Sequence, residues 1–163
     1  MSFPGQLIDG YRAFLHGGLR AEQGRYRELA ESGQSPEVMV IACCDSRCSP
    51  EVIFNARPGE LFVARNVSGL VPPYTPDGAQ RAVSASLEFA VQALKVKHIV
   101  VLGHAQCGGI RAYVEDSAPL SPGDFLYSLG AYAYRIVVPW PSTQYYDEPT
   151  STWPLMIAAM GPG

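Results

Sequence analysis

Two short apolar runs constrain this chain most, because each leads straight into a turn that carries cysteine or histidine. Val38-Met39-Val40-Ile41-Ala42 precedes Cys43-Cys44-Asp45-Ser46-Arg47, and His98-Ile99-Val100-Val101-Leu102 precedes Gly103-His104-Ala105-Gln106-Cys107-Gly108-Gly109. A short apolar run without alternation reads as a strand buried on both faces, the pattern of a parallel sheet. Arg57-Pro58-Gly59 turns the chain into another strand, Leu61 to Ala64. Helical signals lie between these strands. Ser49-Pro50-Glu51 offers an N-cap and a first-turn proline, and Val83, Leu87, Ala90, Val91 and Leu94 form an apolar stripe at helical spacing. Upstream, Leu7, Tyr11, Phe14 and Leu15 follow Pro4 at helical spacing, and residues 20–31 form a polar, helix-prone stretch. The expectation is an α/β fold: N-terminal helices, then a mostly parallel β-sheet flanked by helices with right-handed crossovers. Both cysteine-bearing turns then fall just past the carboxyl ends of strands, where open α/β sheets hold their ligands.

The totals exclude several classes. The 163 residues include 12 basic and 15 acidic side chains, well mixed, with a net charge of -3. That balance gives no electrostatic footprint for nucleic acid. No apolar run approaches the ~20 residues of a membrane helix, so no membrane partner is expected. Residues 1–6 have neither a basic n-region nor an apolar h-region, which predicts a cytoplasmic protein. Of four cysteines, Cys43, Cys44 and Cys48 fall within six residues, too close for an ordinary disulfide framework. In a reducing compartment, clustered thiols more often bind metal or catalyse.

Cys43, His104 and Cys107 offer two thiolates and one imidazole. This donor set suits tetrahedral Zn²⁺ and leaves a fourth position for water, the mark of a catalytic site. Zinc lowers the pKa of bound water from about 16 toward 7. Two thiolates neutralise more of the metal's charge than histidines do, so the water pKa should lie somewhat higher than with three histidines. Asp45 can accept a hydrogen bond from such a water, and Arg47 can grip the carboxylate bidentately. If Arg47 released it, Asp45 could become a switchable fourth ligand. Gly108 and Gly109, opening a helix, present N–H groups to a small anion such as bicarbonate or serve a tight turn; both readings stand. Cys44 and Cys48 read as small core hydrophobes, and His16 and His98 as surface or helix-end residues.

Taken in order, Cys43-x-Asp45-Ser46-Arg47, Arg65-Asn66, Ser86-Leu87-Glu88-Phe89-Ala90 and Gly103-His104-x-x-Cys107-Gly108-Gly109 carry a specific pattern. Over about residues 3–125 the chain resembles the β-class carbonic anhydrases of the plant-like subtype. The resemblance implies reversible hydration of CO₂ to bicarbonate and a proton, with Cys43, His104 and Cys107 as zinc ligands and Asp45 with Arg47 as the orienting pair. It also implies a homodimer or higher homo-oligomer with a shared pocket, in which Gln34 hydrogen-bonds the substrate and Phe62, Val67 and Phe89 form an apolar wall. The chain departs from the pattern in places. Phe89 stands where many relatives have tyrosine, Val67-Ser68-Gly69 replaces a more usual Ala-Asn stretch, and Cys48 stands where valine is common. No tryptophan lies just before Cys43, so the allosteric bicarbonate site of another subtype should be absent.

Beyond Phe125 lysine disappears, Arg135 is the only basic residue, and five tyrosines, Trp140 and Trp153 are interspersed with prolines. This predicts a zinc domain over 1–125 and an atypical, poorly ordered tail over 126–163, diverged or frameshifted, with a strand conceivable at 134–138. Two other functions remain open at this point: a zinc-binding but catalytically impaired truncated homologue, and a carbon disulfide-type hydrolase on the same fold.

Overall fold

The computed structural model describes residues 3–72 and 81–115 and two strands beyond them, 144–146 and 157–160. The chain divides into two compact units, residues 1–34 and 35–163. The first is helical: α1 (Gly5–His16), α2 (Gly18–Ala21) and α3 (Gln23–Ser32). The polar stretch expected as one helix over 20–31 is thus two, broken at Glu22, whose φ of -107° and ψ of 14° leave the helical region. Phe14 and Tyr26 meet edge to face, with centroids 6.3 Å apart. None of the three helices buries a residue, and Phe3, Leu7, Tyr11 and Phe14 are exposed.

The second unit is organised by β1 (Val38–Cys43), whose last five residues are all buried. Parallel neighbours flank it on both sides: β2 (Leu61–Asn66) and β3 (His98–Leu102). Pairing runs Met39 with Phe62 and Ile99, then Val40 with Val63 and Val100. Successive side chains of a strand alternate between faces, so this register sorts the apolar residues into two cores. One holds Val40, Ala42, Cys43, Cys48 and Leu102, with Ile53, Val63 and Cys107 against it. The other holds Met39, Ile41 and Ala90, with Phe62, Leu87 and Ile99 against it. Met39, Val40, Ile41 and Leu102 are completely buried, each contributing roughly 1.5–3 kcal/mol.

The connecting helices follow the sequence signals with two local differences. In α4 (Pro50–Ile53) proline takes the first turn, but the Ser49 side chain makes no capping hydrogen bond. Helix α5 (Ala82–Glu88) continues into a π-helical turn over Phe89–Ala93, so the expected apolar stripe is present but its last turn is widened. Helix α6 (Gly108–Val114) follows β3 and starts at the paired glycines.

The stretch 139–163, expected to be poorly structured, contributes two strands. These are β4 (Gln144–Tyr146) and β5 (Ile157–Met160), and β5 runs antiparallel to β3 while β4 pairs with β5. The sheet order is therefore β2-β1-β3-β5-β4, a parallel trio with an antiparallel pair along the β3 edge. Ile157-Ala158-Ala159-Met160 is an apolar run, and pairing it to β3 satisfies backbone groups that would otherwise line an open edge. The strand expected at 134–138 and the part of the proline-rich loop over 73–78 lie outside the described residues.

After β2 the chain makes a tight turn over Val67–Gly69. The Asn66 side chain closes it, its amide nitrogen donating to Leu70 O at 2.9 Å and its oxygen accepting from Leu70 N at 2.7 Å. Gly69 has φ +63°, and a Cβ there would lie 3.0 Å from Cys43 N, 3.2 Å from Ala42 C and 3.3 Å from Leu102 O. All three are backbone atoms of the central strands, which cannot move aside cheaply. Gly69→Ala is therefore expected to cost about 2 kcal/mol or more, read as a lower urea midpoint; an unchanged midpoint would contradict the packing described for this turn.

Candidate metal centre

Parallel pairing of β1 with β3 sets Ala42 beside Leu102, so the chain leaves both strands at the same end of the sheet. The first turn begins at Cys43 and the second at Gly103. In the second, Gln106 takes a left-handed φ of 56° and reverses the chain between His104 and Cys107. One donor atom each from Cys43, His104 and Cys107 consequently lies within 4.8 Å of the others, and the two sulfurs are 4.0 Å apart.

The imidazole shows which atom faces the cluster. His104 Nδ1 lies 3.0 Å from Ala105 O, and a carbonyl can only accept, so Nδ1 carries the proton. Nε2 then bears a lone pair. It is buried, has no hydrogen-bond partner, and belongs to a side chain only 4% exposed. A buried polar atom without a partner is costly, and a metal ion satisfies a neutral imidazole nitrogen whose other nitrogen donates to backbone. The donor set thus fits a metal ion on the observation of Nε2 itself.

The thiols differ in environment. Burial pushes the Cys43 thiol up, against N–H groups of Asp45 and Ser68 that favour the thiolate. Burial also acts on Cys107, but the N–H groups of Ile110 and Gly109, together with the Ser68 hydroxyl, outweigh it and hold this thiol below its ordinary value. Of the two, Cys107 is the more readily ionised thiol and Cys43 the less. The N–H groups of Gly109 and Ile110, in the first turn of α6, thus face the Cys107 sulfur. A Cβ at Gly109 would fall 2.2 Å from Ser68 Oγ and 2.8 Å from Val67 Cγ1, so a larger residue there must displace those side chains.

Asp45 and Arg47 form the expected bidentate pair, Nε to Oδ1 at 2.8 Å and Nη2 to Oδ2 at 2.9 Å, and Arg47 N adds a bond to Oδ1 at 2.9 Å. The guanidinium hydrogen bonds hold the carboxyl well below the usual carboxylate range, so Asp45 is ionised at any ordinary pH. Its Oδ2 lies 3.9 Å from His104 Nε2, beside the donor cluster. Arg47 also reaches Ala105 O at 3.4 Å, bonding one ligand-bearing turn to the other.

Not every predicted residue joins this cluster. Val67 does border it, packed over Gly109 and 42% exposed. Phe62 and Phe89 meet each other with centroids 5.8 Å apart, but Phe62 belongs to the core around Met39 and Ile41, not the one holding Cys43 and Cys107. Phe89 is 51% exposed. Gln34 is exposed and is the last residue of the first unit. Gly108 opens α6, and a Cβ there would meet nothing. Cys48 is the buried small residue expected, its thiol directed at Gly103 O, whereas Cys44 is exposed, contrary to that reading, because Cys43 takes the inward position at the end of β1. His16 and His98 are exposed, as expected.

Arg65, which the sequence marks only as part of a motif, holds the first turn in place. Its Nε donates to Cys43 O at 3.1 Å and its Nη2 to Asp45 O at 2.8 Å. Ser68, which stands out in the sequence only as a departure from the family pattern, has its Oγ 3.6 Å from Cys107 Sγ. The signal for Arg65 was a cation at the end of a strand beside the cysteine strand. Nothing in the pattern marked Ser68. A cavity of about 650 Å³ opens beside His104, Cys107 and Ser68, with Val101, Ile110 and Val114 on its walls.

The sequence profile described as carbonic anhydrase matches residues 38–132, more than half of the chain. Among curated proteins the chain is 43% identical over 90 residues to β carbonic anhydrase 5, chloroplastic, of Arabidopsis thaliana, covering 55% of this chain and 29% of that protein. It is 43% identical over 106 residues to a carbonic anhydrase of Pseudomonas aeruginosa, covering 65% of this chain and 47% of that one. The chain thus spans less than half the length of either relative. Among solved structures, the β-carbonic anhydrase CcaA superposes with a TM-score of 0.72 at 29% identity, over 80% of this chain and 57% of that one. With the matched stretch running from the first residue of β1 through α6, and both ligand-bearing turns inside it, the chain belongs to the β-class carbonic anhydrase family.

Proposed function

We propose that the chain catalyses the zinc-dependent reversible hydration of CO₂ to bicarbonate and a proton. The observation that carries this reading is His104 Nε2, a buried lone pair without a partner, facing two thiols and flanked by an ionised carboxylate. Cys43, His104 and Cys107 would hold the ion. Zn²⁺ bound there supplies hydroxide near neutral pH by lowering the pKa of water from about 16 toward 7. Asp45, ionised and gripped by Arg47, can only accept. It would take a hydrogen bond from the proton of water or hydroxide at the site and so orient that oxygen toward the substrate. Release of Asp45 by Arg47 would let the carboxylate take the fourth ligand position and close the site.

CO₂ has no dipole, so its pocket needs apolar surface. Val67 supplies it from beside the cluster, while Phe62 and Phe89 pack on the other core and leave half of Phe89 in solvent. Those two rings, with Gln34 as the group that hydrogen-bonds the substrate, serve the metal centre of a second copy in our reading, and Gly108 borders the bicarbonate position. The exposed stripe of Phe3, Leu7, Tyr11 and Phe14 on and before α1 supports a homodimer or higher homo-oligomer. No helix among the described residues is long and apolar enough to cross a membrane.

Purified protein should carry about one zinc per chain, hydrate CO₂ in stopped flow, and have a solution mass at least twice 17.6 kDa. One zinc per chain with no hydration would select the catalytically impaired homologue instead. Cys107→Ser should lose the metal, and a fully active variant would refute the ligand assignment. Asp45→Asn should retain zinc while turnover falls roughly 10–100-fold; loss of zinc in that variant would place Asp45 among the obligatory ligands.

A further inference from the structure

Ser68 has an unusual backbone. Its φ of 71° is in the left-handed region, which a residue with a Cβ occupies at some cost. The surroundings fix it there: the Asn66 amide closes the turn on both sides through Leu70, and Gly69 packs against the backbone of Cys43 and Leu102. That conformation turns the Ser68 N–H to Cys43 Sγ and the Ser68 hydroxyl to Cys107 Sγ, 3.6 Å away. On the other side of the hydroxyl lies the space a Gly109 Cβ would fill, 2.2 Å from Oγ. The hydroxyl is thus confined between a glycine that leaves it room and a sulfur 3.6 Å away, with which it shares a hydrogen bond.

We propose that Ser68 is a positioning residue of the metal centre, which donates one hydrogen bond to each ligand sulfur and so fixes both and withdraws electron density from them. The role rests on the metal-binding reading of Cys43, His104 and Cys107. Thiolates that accept hydrogen bonds give less charge to a metal, and partners of this kind orient ligands as well as tune them. Alanine would keep the Cβ and the N–H but lose the hydroxyl. Glycine would lose the hydroxyl and relieve the left-handed strain.

The test loads metal-free full-length wild type, Ser68→Ala and Ser68→Gly with Co²⁺ and records the near-ultraviolet thiolate-to-cobalt band, with zinc affinity measured by chelator competition. Loss of the hydroxyl bond should move the band to longer wavelength in both variants and weaken zinc binding about tenfold. An unchanged band and affinity in both variants overturns the proposal. So does a result in which Ser68→Ala is impaired and Ser68→Gly matches wild type, since backbone strain then explains the effect. Wild type that takes up Co²⁺ with no thiolate band overturns the metal reading itself, and the role of Ser68 with it.

Discussion

Parallel pairing of β1 and β3 is the constraint on which the site depends. Because these strands are direct neighbours with Ala42 opposite Leu102, the residues that follow each one emerge side by side. Two turns separated by about sixty positions in sequence then supply three donors to one point. Neither turn could do this alone: Cys43 comes from one and the His104, Cys107 pair from the other. The completely buried Met39, Val40, Ile41 and Leu102 hold the strands in this register, and a slip of one residue would turn Cys43 to the opposite face.

Around that convergence the second layer of contacts serves charge. Arg47 and Arg65 both act on the first turn. Arg47 grips the Asp45 carboxylate and reaches Ala105 O of the neighbouring turn, while Arg65 takes the carbonyls of Cys43 and Asp45. The fork of a guanidinium can bind two acceptors in fixed geometry, which an ammonium cannot. Opposite them, the α6 amides and the Ser68 hydroxyl face Cys107. Cations and amides therefore surround a partly buried carboxylate and the Cys107 sulfur, which favours negative charge at both.

Much of this was legible in the sequence. Strands β1, β2 and β3, the order of strand and helix, and the Cys43, His104, Cys107 and Asp45, Arg47 sets follow from apolar runs that end in donor-bearing turns. What was not legible depended on long-range geometry. The strand at Ile157–Met160 has an apolar signal, but a composition poor in charge and rich in proline and aromatics hid it, and its partners β3 and β4 are distant in sequence or equally hidden. Cys44 and Cys48 are equivalent by composition, yet one is exposed and the other buried, because the 3-10 turn over Ser46–Cys48 brings the second back to the core. The role of Ser68 needs a left-handed backbone that no residue preference announces.

The absent side chain at Gly109 and the present one at Ser68 occupy a single volume, with Val67 closing its edge. Three positions on two separate segments therefore behave as one steric unit. Enlargement at Gly109 requires Ser68 and Val67 to retreat, and a bulkier group at Ser68 would intrude on the space that Gly109 leaves. The room around the Cys107 sulfur is therefore set jointly by the two segments, and none of the three side chains can be enlarged without displacing another.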